Sequence, residues 1–125
     1  MFDHISIGVR HIQTSRRFYD AALGALGYPI RQGDDTEFSY GGEDCVFAIA
    51  ATDHPVPADL RSGLHFCFKA PSRSAVDAFH KTALAGGGKD HGAPGLRLNY
   101  GDSYYAAFAI DPDGYRIEAY CNRPE

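Results

Sequence analysis

The chain has few of the residues that staple small proteins together. Its 125 residues include three cysteines, one methionine and no tryptophan. The number of cysteines is odd, and no two of them have Cys-x-x-Cys spacing: they are Cys45, Cys67 and Cys121. Neither a disulfide framework nor a zinc knot is therefore expected. A chain of this length can bury a core without such links. The sequence therefore predicts one domain with three reduced thiols.

Basic clusters and long apolar runs are also missing. The formal net charge is −4, and the absence of a Lys/Arg cluster argues against nucleic acid or an anionic membrane surface as partner. No segment approaches the roughly 20 apolar residues of a transmembrane helix, and the first residues lack the basic-then-apolar order of a signal peptide. We expect a cytoplasmic protein whose partner is a small-molecule substrate.

An internal repeat appears when the chain is shifted against itself by 61 residues. Each half begins with an alternating strand, DHISIGV or LHFCFKA, and continues into an amphipathic helix and a hairpin. The coincident pairs are His4 and His65, Phe18 and Phe79, Ala22 and Ala83, Leu23 and Leu84, and Gly27 and Gly88. The repeat predicts an α+β fold of two tandem βαβββ modules.

The repeat sets the expected organisation of a single domain over residues 1–125. Module one covers 1–50, a proline-containing connector covers 51–62, and module two covers 63–121. The glycine-rich stretch 86–103 reads as a long irregular loop, either a solvated connection or a functional one. It carries polar side chains that could contact a substrate: Lys89, His91, Arg97 and Tyr100.

The expected helices have defined starts and buried faces. The first helix is predicted to be capped near Thr14 or Ser15, and the second at Ser72 or Ser74. Apolar spacing predicts two inward stripes. They comprise Phe18, Tyr19, Ala22, Leu23 and Leu26 in the first helix, and Val76, Phe79, Ala83 and Leu84 in the second.

Three polar residues lie on strand faces opposite apolar neighbours. His4 and His65 occupy the same position in the first strand of each module, and Glu118 lies between Ile117 and Ala119 on the last strand. Taken singly, each is more ordinary as a structural histidine or a solvated glutamate. Their symmetry favours a site for a divalent ion, because two imidazoles and a carboxylate suit iron, manganese, nickel or zinc.

The two modules, with FYDAALGALGY after the first strand and DPDGYRIEAY at the end, resemble the vicinal oxygen chelate superfamily. That superfamily includes glyoxalase I, fosfomycin-resistance enzymes, extradiol dioxygenases and metal-free bleomycin-binding proteins. The resemblance covers nearly the whole chain. It implies a curved mixed sheet around a cleft with helices on its outer face, and a homodimer. Its metal ligands fall on His4, His65 and Glu118.

The fourth ligand of glyoxalase I, a glutamate that also acts as base, has no counterpart. Aligning VFAIA with RIEAY places Ala48 there, and a one-residue slip would place Phe47 there. Neither residue binds metal or accepts a proton. The three-ligand pattern resembles dioxygenases and fosfomycin-type transferases more closely, and the stretch GDSYY at 101–105 is similar to one in the latter.

The sequence thus predicts a small metal-dependent lyase, dioxygenase or thiol transferase that chelates an oxygen-bearing substrate. Tyr104 and Tyr105 are the predicted catalytic residues, which would position the substrate or move protons. The predicted substrate-binding residues are Arg97, Tyr100, Arg116 and Tyr120. The alternative is a binding protein that sequesters a small molecule without metal or turnover, since eight Tyr and eight Phe could line an aromatic cleft.

Overall fold

The chain folds as two copies of one βαβββ unit. The computed structural model describes residues 1–124. The first unit contains β1 (His4–Val9), α1 (Ile12–Gly24), β2 (Ile30–Gly33), β3 (Glu37–Gly41) and β4 (Val46–Ala51). After a short 3-10 helix, Leu60–Ser62, the second contains β5 (His65–Lys69), α2 (Arg73–Ala85), β6 (Lys89–Leu96), β7 (Tyr105–Ile110) and β8 (Arg116–Cys121). The predicted α+β fold is confirmed.

Each unit forms its own sheet, and the two sheets have equivalent strand orders, β1-β4-β3-β2 and β5-β8-β7-β6. Only the first and last strands of a unit pair in parallel, as β1 with β4 and β5 with β8. Ser6 lies opposite Ala48, and its repeat partner Cys67 lies opposite Glu118. Ala48 is therefore the counterpart of Glu118, as the first of the two alignments predicts. Phe47 belongs to the core.

The helices bury the stripes expected from their apolar spacing, with one exception. All five predicted residues of the first stripe are buried. Val76, Phe79 and Ala83 of α2 are fully buried, but Leu84 is 37% exposed. The prediction for Leu84 is wrong: in the last turn of α2 this side chain is partly exposed, although its repeat partner Leu23 is buried in α1.

The helix starts differ in how they are capped. Ser72 caps α2 as predicted, since its hydroxyl accepts a hydrogen bond from the Ala75 amide at 3.1 Å. The cap predicted for α1 is wrong: the helix begins at Ile12, and His11 precedes it without a side-chain hydrogen bond. Thr14 and Ser15 lie inside the helix, where a capping side chain has no free amide ahead of it to accept from.

The predicted irregular loop over 86–103 contains a strand. β6 pairs with β7 through Lys89–Leu96, with shifts in register around Gly92 and Gly95. Glycines and Pro94 conceal this strand, because they interrupt the alternation by which strands are recognised. The short strand β2 carries no buried residue. Its sequence, IRQG, does not alternate apolar and polar residues, so the pattern does not predict this strand either.

Hydrogen bonds and aromatic contacts tie the two units together. The Tyr19 hydroxyl donates to Asp111 Oδ2 at 2.6 Å, and the Tyr115 hydroxyl donates to the Gly8 carbonyl at 3.0 Å. Phe47 packs against both Phe66 and Phe68 of β5. The described part of the chain contains no helix long and apolar enough to cross a membrane.

Candidate functional site

A polar cavity of about 410 Å³ opens on the second sheet. Strands β5, β7 and β8 contribute to it, and the segment around β6 closes one side. Its lining residues are His65, His91, Gly92, Arg97, Tyr100, Tyr104, Phe108, Arg116 and Glu118. Alternation along the strands places these side chains on the face opposite the helices.

The side chains of Glu118 and His65 contact each other in this cavity. His65 Nε2 lies 3.2 Å from Glu118 Oε2, with the glutamate side chain only 3% exposed and the histidine 35% exposed. A carboxylate buried to this degree needs charged or hydrogen-bonding partners to offset its lost hydration. The contact with His65 supplies one such partner.

Tyr104 is the second partner of Glu118. Its hydroxyl donates to Glu118 Oε1 at 2.6 Å, and its ring stacks on Tyr120 with centroids 4.2 Å apart. Desolvation and this hydrogen bond raise the pKa of Tyr104 well above its ordinary value. The hydroxyl is thus protonated at neutral pH and acts as a donor. Tyr120 supports Tyr104 from behind and does not itself line the cavity.

His65 has two competing partners at its other ring nitrogen. Arg116 Nη2 lies 2.9 Å from Nδ1, and the Gly63 carbonyl oxygen lies 3.1 Å from it. A guanidinium can only donate, which requires a bare Nδ1, whereas a carbonyl can only accept, which requires a protonated Nδ1. When Arg116 donates to Nδ1, a neutral His65 carries its proton on Nε2, the nitrogen that faces Glu118.

Arg97 lines the same cavity and is held by backbone carbonyls. It donates to the carbonyls of Gly95 and Ala93 at 3.0 and 2.8 Å, and its guanidinium lies 5.6 Å from the centroid of the Phe108 ring. Phe108 also contacts the His65 ring, with centroids 6.3 Å apart. The structure thus brings Arg97, Tyr100 and Arg116 together with His65 and Glu118.

Tyr105 lies away from this cavity. Its hydroxyl donates to Asp77 of α2 at 2.6 Å, and the Arg73 guanidinium lies 5.2 Å from the centre of its ring. Successive residues of a strand point to opposite faces, so Tyr104 and Tyr105 cannot both enter one cavity. Tyr105 is not among the residues that line this cavity.

His4 lies in a separate cavity of about 450 Å³ on the first sheet, together with Ser6 and Ala48. Its Nδ1 lies 2.6 Å from Asp3 Oδ1, so Nε2 is left available. Within residues 1–124, no cluster of three or more His, Cys, Asp or Glu residues could hold a metal ion. One chain therefore places two of the three predicted ligands together and the third elsewhere.

Cys67 and Phe108 are site residues that the sequence interpretation did not identify. They lie opposite Glu118 on its two neighbouring strands. Although Cys67 is exposed as a residue, local desolvation and the adjacent Glu118 carboxylate raise the pKa of its thiol to about 12, so it is not a ready nucleophile. The available signal was alternation, which puts Cys67 on the same strand face as His65.

Comparison with known proteins agrees with this architecture. The family model described as glyoxalase/bleomycin resistance protein/dioxygenase superfamily matches residues 1–119. The chain belongs to this superfamily. An uncharacterized protein of Bacillus subtilis, YqjT, is 29% identical over 128 aligned positions, which span 92% of this chain and 94% of that protein.

Solved structures of the superfamily superpose on the chain over nearly its full length. A glyoxalase/bleomycin resistance protein from Albidiferax ferrireducens is 33% identical, with a TM-score of 0.86 and coverage of 97% of this chain and 98% of that one. A putative glyoxalase from Bacillus halodurans is 28% identical, with a TM-score of 0.74 and coverage of 97% and 95%. The fosfomycin resistance protein FosX from Mesorhizobium loti, 15% identical with a TM-score of 0.69 over 97% and 91%, shares the fold.

Proposed function

We propose that this protein is a small metal-dependent enzyme that chelates an oxygen-bearing substrate on a divalent ion. The observation that carries the proposal is the almost fully buried Glu118 carboxylate, held 3.2 Å from His65 Nε2 in an open polar cavity. A buried carboxylate facing an imidazole nitrogen provides two of the three ligands of a two-histidine, one-carboxylate set. Iron, manganese, nickel and zinc all suit that set.

His4 would supply the third ligand from a second copy of the chain. Its contact with Asp3 is the carboxylate–histidine arrangement that orients metal-binding imidazoles and leaves Nε2 to bind. His4 and His65 line different cavities of one chain, and β1 and β5, the strands that carry them, are both sheet edges. A homodimer that brings the edge β1 of one copy beside the edge β5 of the other would join the two half-sites.

A bound divalent ion would act as a Lewis acid toward two substrate oxygens. Tyr104 would hold the Glu118 carboxylate in position through the hydrogen bond that its protonated hydroxyl already donates. Arg97 and Tyr100, which line the same cavity, would orient the substrate. The position of module one that corresponds to Glu118 is occupied by Ala48, which has no carboxylate. The proposed function therefore includes no proton abstraction by a second carboxylate.

The test is metal binding by purified protein, measured by elemental analysis and by titration with Mn²⁺, Ni²⁺, Zn²⁺ and Fe²⁺. We expect one saturable site per chain, with affinity at least about tenfold weaker in His65→Ala and Glu118→Gln. His54→Ala is the matched control, because His54 lies in the exposed connector outside both cavities. The proposal fails if no ion saturates, or if the control weakens binding as much as His65→Ala does.

A second candidate function is binding of a small molecule without a metal. It is favoured by the hydrogen bonds that already satisfy both ligands: Arg116 on His65, and Tyr104 on Glu118. This candidate predicts ligand affinity that is unchanged by His4→Ala and by removal of divalent ions. The metal-dependent function predicts loss of affinity in both cases.

A further inference from the structure

The cavity that holds His65 and Glu118 is positively charged in a protein that is negatively charged as a whole. The formal net charge of the chain is −4. The cavity nevertheless contains Arg97 and Arg116 and a single carboxylate, Glu118. That carboxylate is already engaged by His65 and Tyr104. The two guanidinium groups therefore have no free carboxylate in the cavity to neutralise them.

Both arginines are held in place but keep unused donors. Arg97 uses two of its five N–H groups on the carbonyls of Gly95 and Ala93, which fix its plane against Phe108. Arg116 places Nη2 against Gly63 and His65, while its Nε is buried and has no hydrogen-bond partner among the described residues. Nη1 of Arg116 makes no hydrogen bond among the described residues, which leaves it to donate to a ligand in the cavity.

Glycines on β6 make this arrangement of Arg97 possible. A Cβ added at Gly92 or at Gly95 would lie 3.2 Å from an Arg97 guanidinium nitrogen. Gly92 also has a φ of +148°, a conformation that side-chain-bearing residues rarely adopt. The bulged strand thus lets the guanidinium lie flat on the backbone and face the cavity.

We propose that Arg97 and Arg116 form an oxyanion-binding subsite, so that the substrate is a small molecule carrying a carboxylate or a phosphate-like group. Planar guanidinium groups bind both kinds of anion through paired hydrogen bonds. Phe108 lies between Arg97 and His65 and provides an apolar surface for the body of the ligand. This inference deepens the proposed function, but the subsite itself needs no metal.

The test uses the metal-free protein, titrated with oxalate, inorganic phosphate and methylphosphonate by calorimetry. ¹H–¹⁵N spectra of the arginine Nε groups provide the second readout. We expect saturable binding of at least one anion, with the Arg97 and Arg116 Nε signals shifting together. Oxalate as the only ligand would assign a carboxylate substrate, and the two phosphorus oxyanions as the only ligands would assign a phosphate-like group.

Four variants distinguish the subsite from general electrostatics. Arg97→Met and Arg116→Met should each weaken anion binding about tenfold or more, and Arg97→Lys should restore part of the loss. Arg61→Met removes the same charge from an arginine whose side chain is 91% exposed and should leave affinity unchanged. Each variant is first checked for native ¹H–¹⁵N amide spectra.

The outcomes separate this inference from the proposed function. Metal binding without saturable anion binding, or equal weakening by Arg61→Met, overturns the subsite and leaves the metal-dependent function standing. Anion binding that depends on Arg97 and Arg116, in a protein that binds no divalent ion, supports the subsite and overturns the metal-dependent function.

Discussion

The competition at His65 Nδ1 is the feature of a single residue with the clearest consequence. Arg116 requires a bare Nδ1, and Gly63 requires a protonated one. A histidine that binds metal through Nε2 carries its proton on Nδ1, where a carbonyl acceptor stabilises it. The contact with Arg116 therefore opposes metal binding, and the contact with Gly63 supports it.

Replacing Arg116 with Met should strengthen the binding of divalent ions about tenfold, because it removes the donor and the adjacent positive charge. Titration with Zn²⁺ measures the affinity, and ¹⁵N shifts of the His65 ring report which nitrogen carries the proton. Arg61→Met is the control for net charge. Unchanged or weaker metal affinity in Arg116→Met would contradict the conclusion that Arg116 opposes metal binding.

At the level of single residues, much of this site can be predicted from the sequence. The repeat and strand alternation identify His65 and Glu118 as neighbours on one face, and the register confirms Ala48 as the counterpart of Glu118. The contact between Arg116 and His65 could not be predicted, because it depends on side-chain torsions. The metal-binding roles of His4, His65 and Glu118 are still predictions.

At the scale of elements, the end of α2 packs closely against α1 and β7. A Cβ at Gly88 would lie 2.5 Å from Phe18 Cε2, 2.8 Å from the Ala83 carbonyl oxygen and 2.9 Å from the Ile110 carbonyl oxygen. Two of these are backbone atoms that cannot move aside. Gly24, by contrast, has nothing within 4 Å of such a Cβ.

Gly88→Ala should lower the free energy of unfolding by roughly 1–3 kcal/mol, the usual cost of overpacking. Gly24→Ala, at the end of α1, should be neutral or stabilise by up to about 1 kcal/mol, because alanine favours helix. Urea denaturation followed by circular dichroism compares the two. Equal effects of the two substitutions would contradict the close packing at Gly88.

The turn between β7 and β8 contains a buried carboxyl group. Asp111 accepts hydrogen bonds from the Tyr19 hydroxyl and from the backbone amides of Asp113 and Tyr115. Desolvation nevertheless dominates and raises the pKa of Asp111 from 3.8 to about 6. The folded protein therefore holds this proton more tightly than the unfolded chain does.

The sign of the resulting pH dependence follows from linkage. The contribution of Asp111 to stability is fully present below about pH 4 and is lost as pH rises through about 6, a change of about 3 kcal/mol. Asp111→Asn should remove this component. Unfolding free energies of the two proteins, measured from pH 4 to pH 7, should differ by an amount that varies over this range. A constant difference would contradict the raised pKa.

Some helices and strands can be predicted from their sequence patterns, and others cannot. α1, β1 and β8 have regular apolar periods and were predicted within a few residues. β6 was missed because Gly92, Pro94 and Gly95 remove the alternation, although these residues also permit the bulge that positions Arg97. The irregularity that conceals the strand is thus part of the cavity wall.

At the scale of the whole molecule, one chain has two half-sites that do not meet. His4 lies in one cavity, and His65 and Glu118 lie in another. The sequence repeat makes His4 and His65 equivalent and strand alternation adds Glu118, but neither pattern indicates whether the three converge within one chain. Convergence depends on how the two sheets are arranged, and in this chain β1 and β5 do not pair.

Mixing two defective variants tests whether a homodimer completes the site. His4→Ala and His65→Ala should each bind divalent ions weakly alone. In a mixed dimer, the His4 of the His65→Ala copy would face the intact His65 and Glu118 of the other copy. Random re-association would then restore roughly a quarter of the wild-type sites, as measured by metal titration after co-expression.

The matched control is a mixture of His65→Ala with Glu118→Gln, which both damage the same half-site. Every mixed dimer of that pair retains one defect in each site, so no sites should be restored. Sites contained within a single chain would give no restoration in either mixture. Restoration in the first mixture but not in the second requires that His4 act across the dimer, because no other arrangement of these three ligands unites the intact residues of two copies.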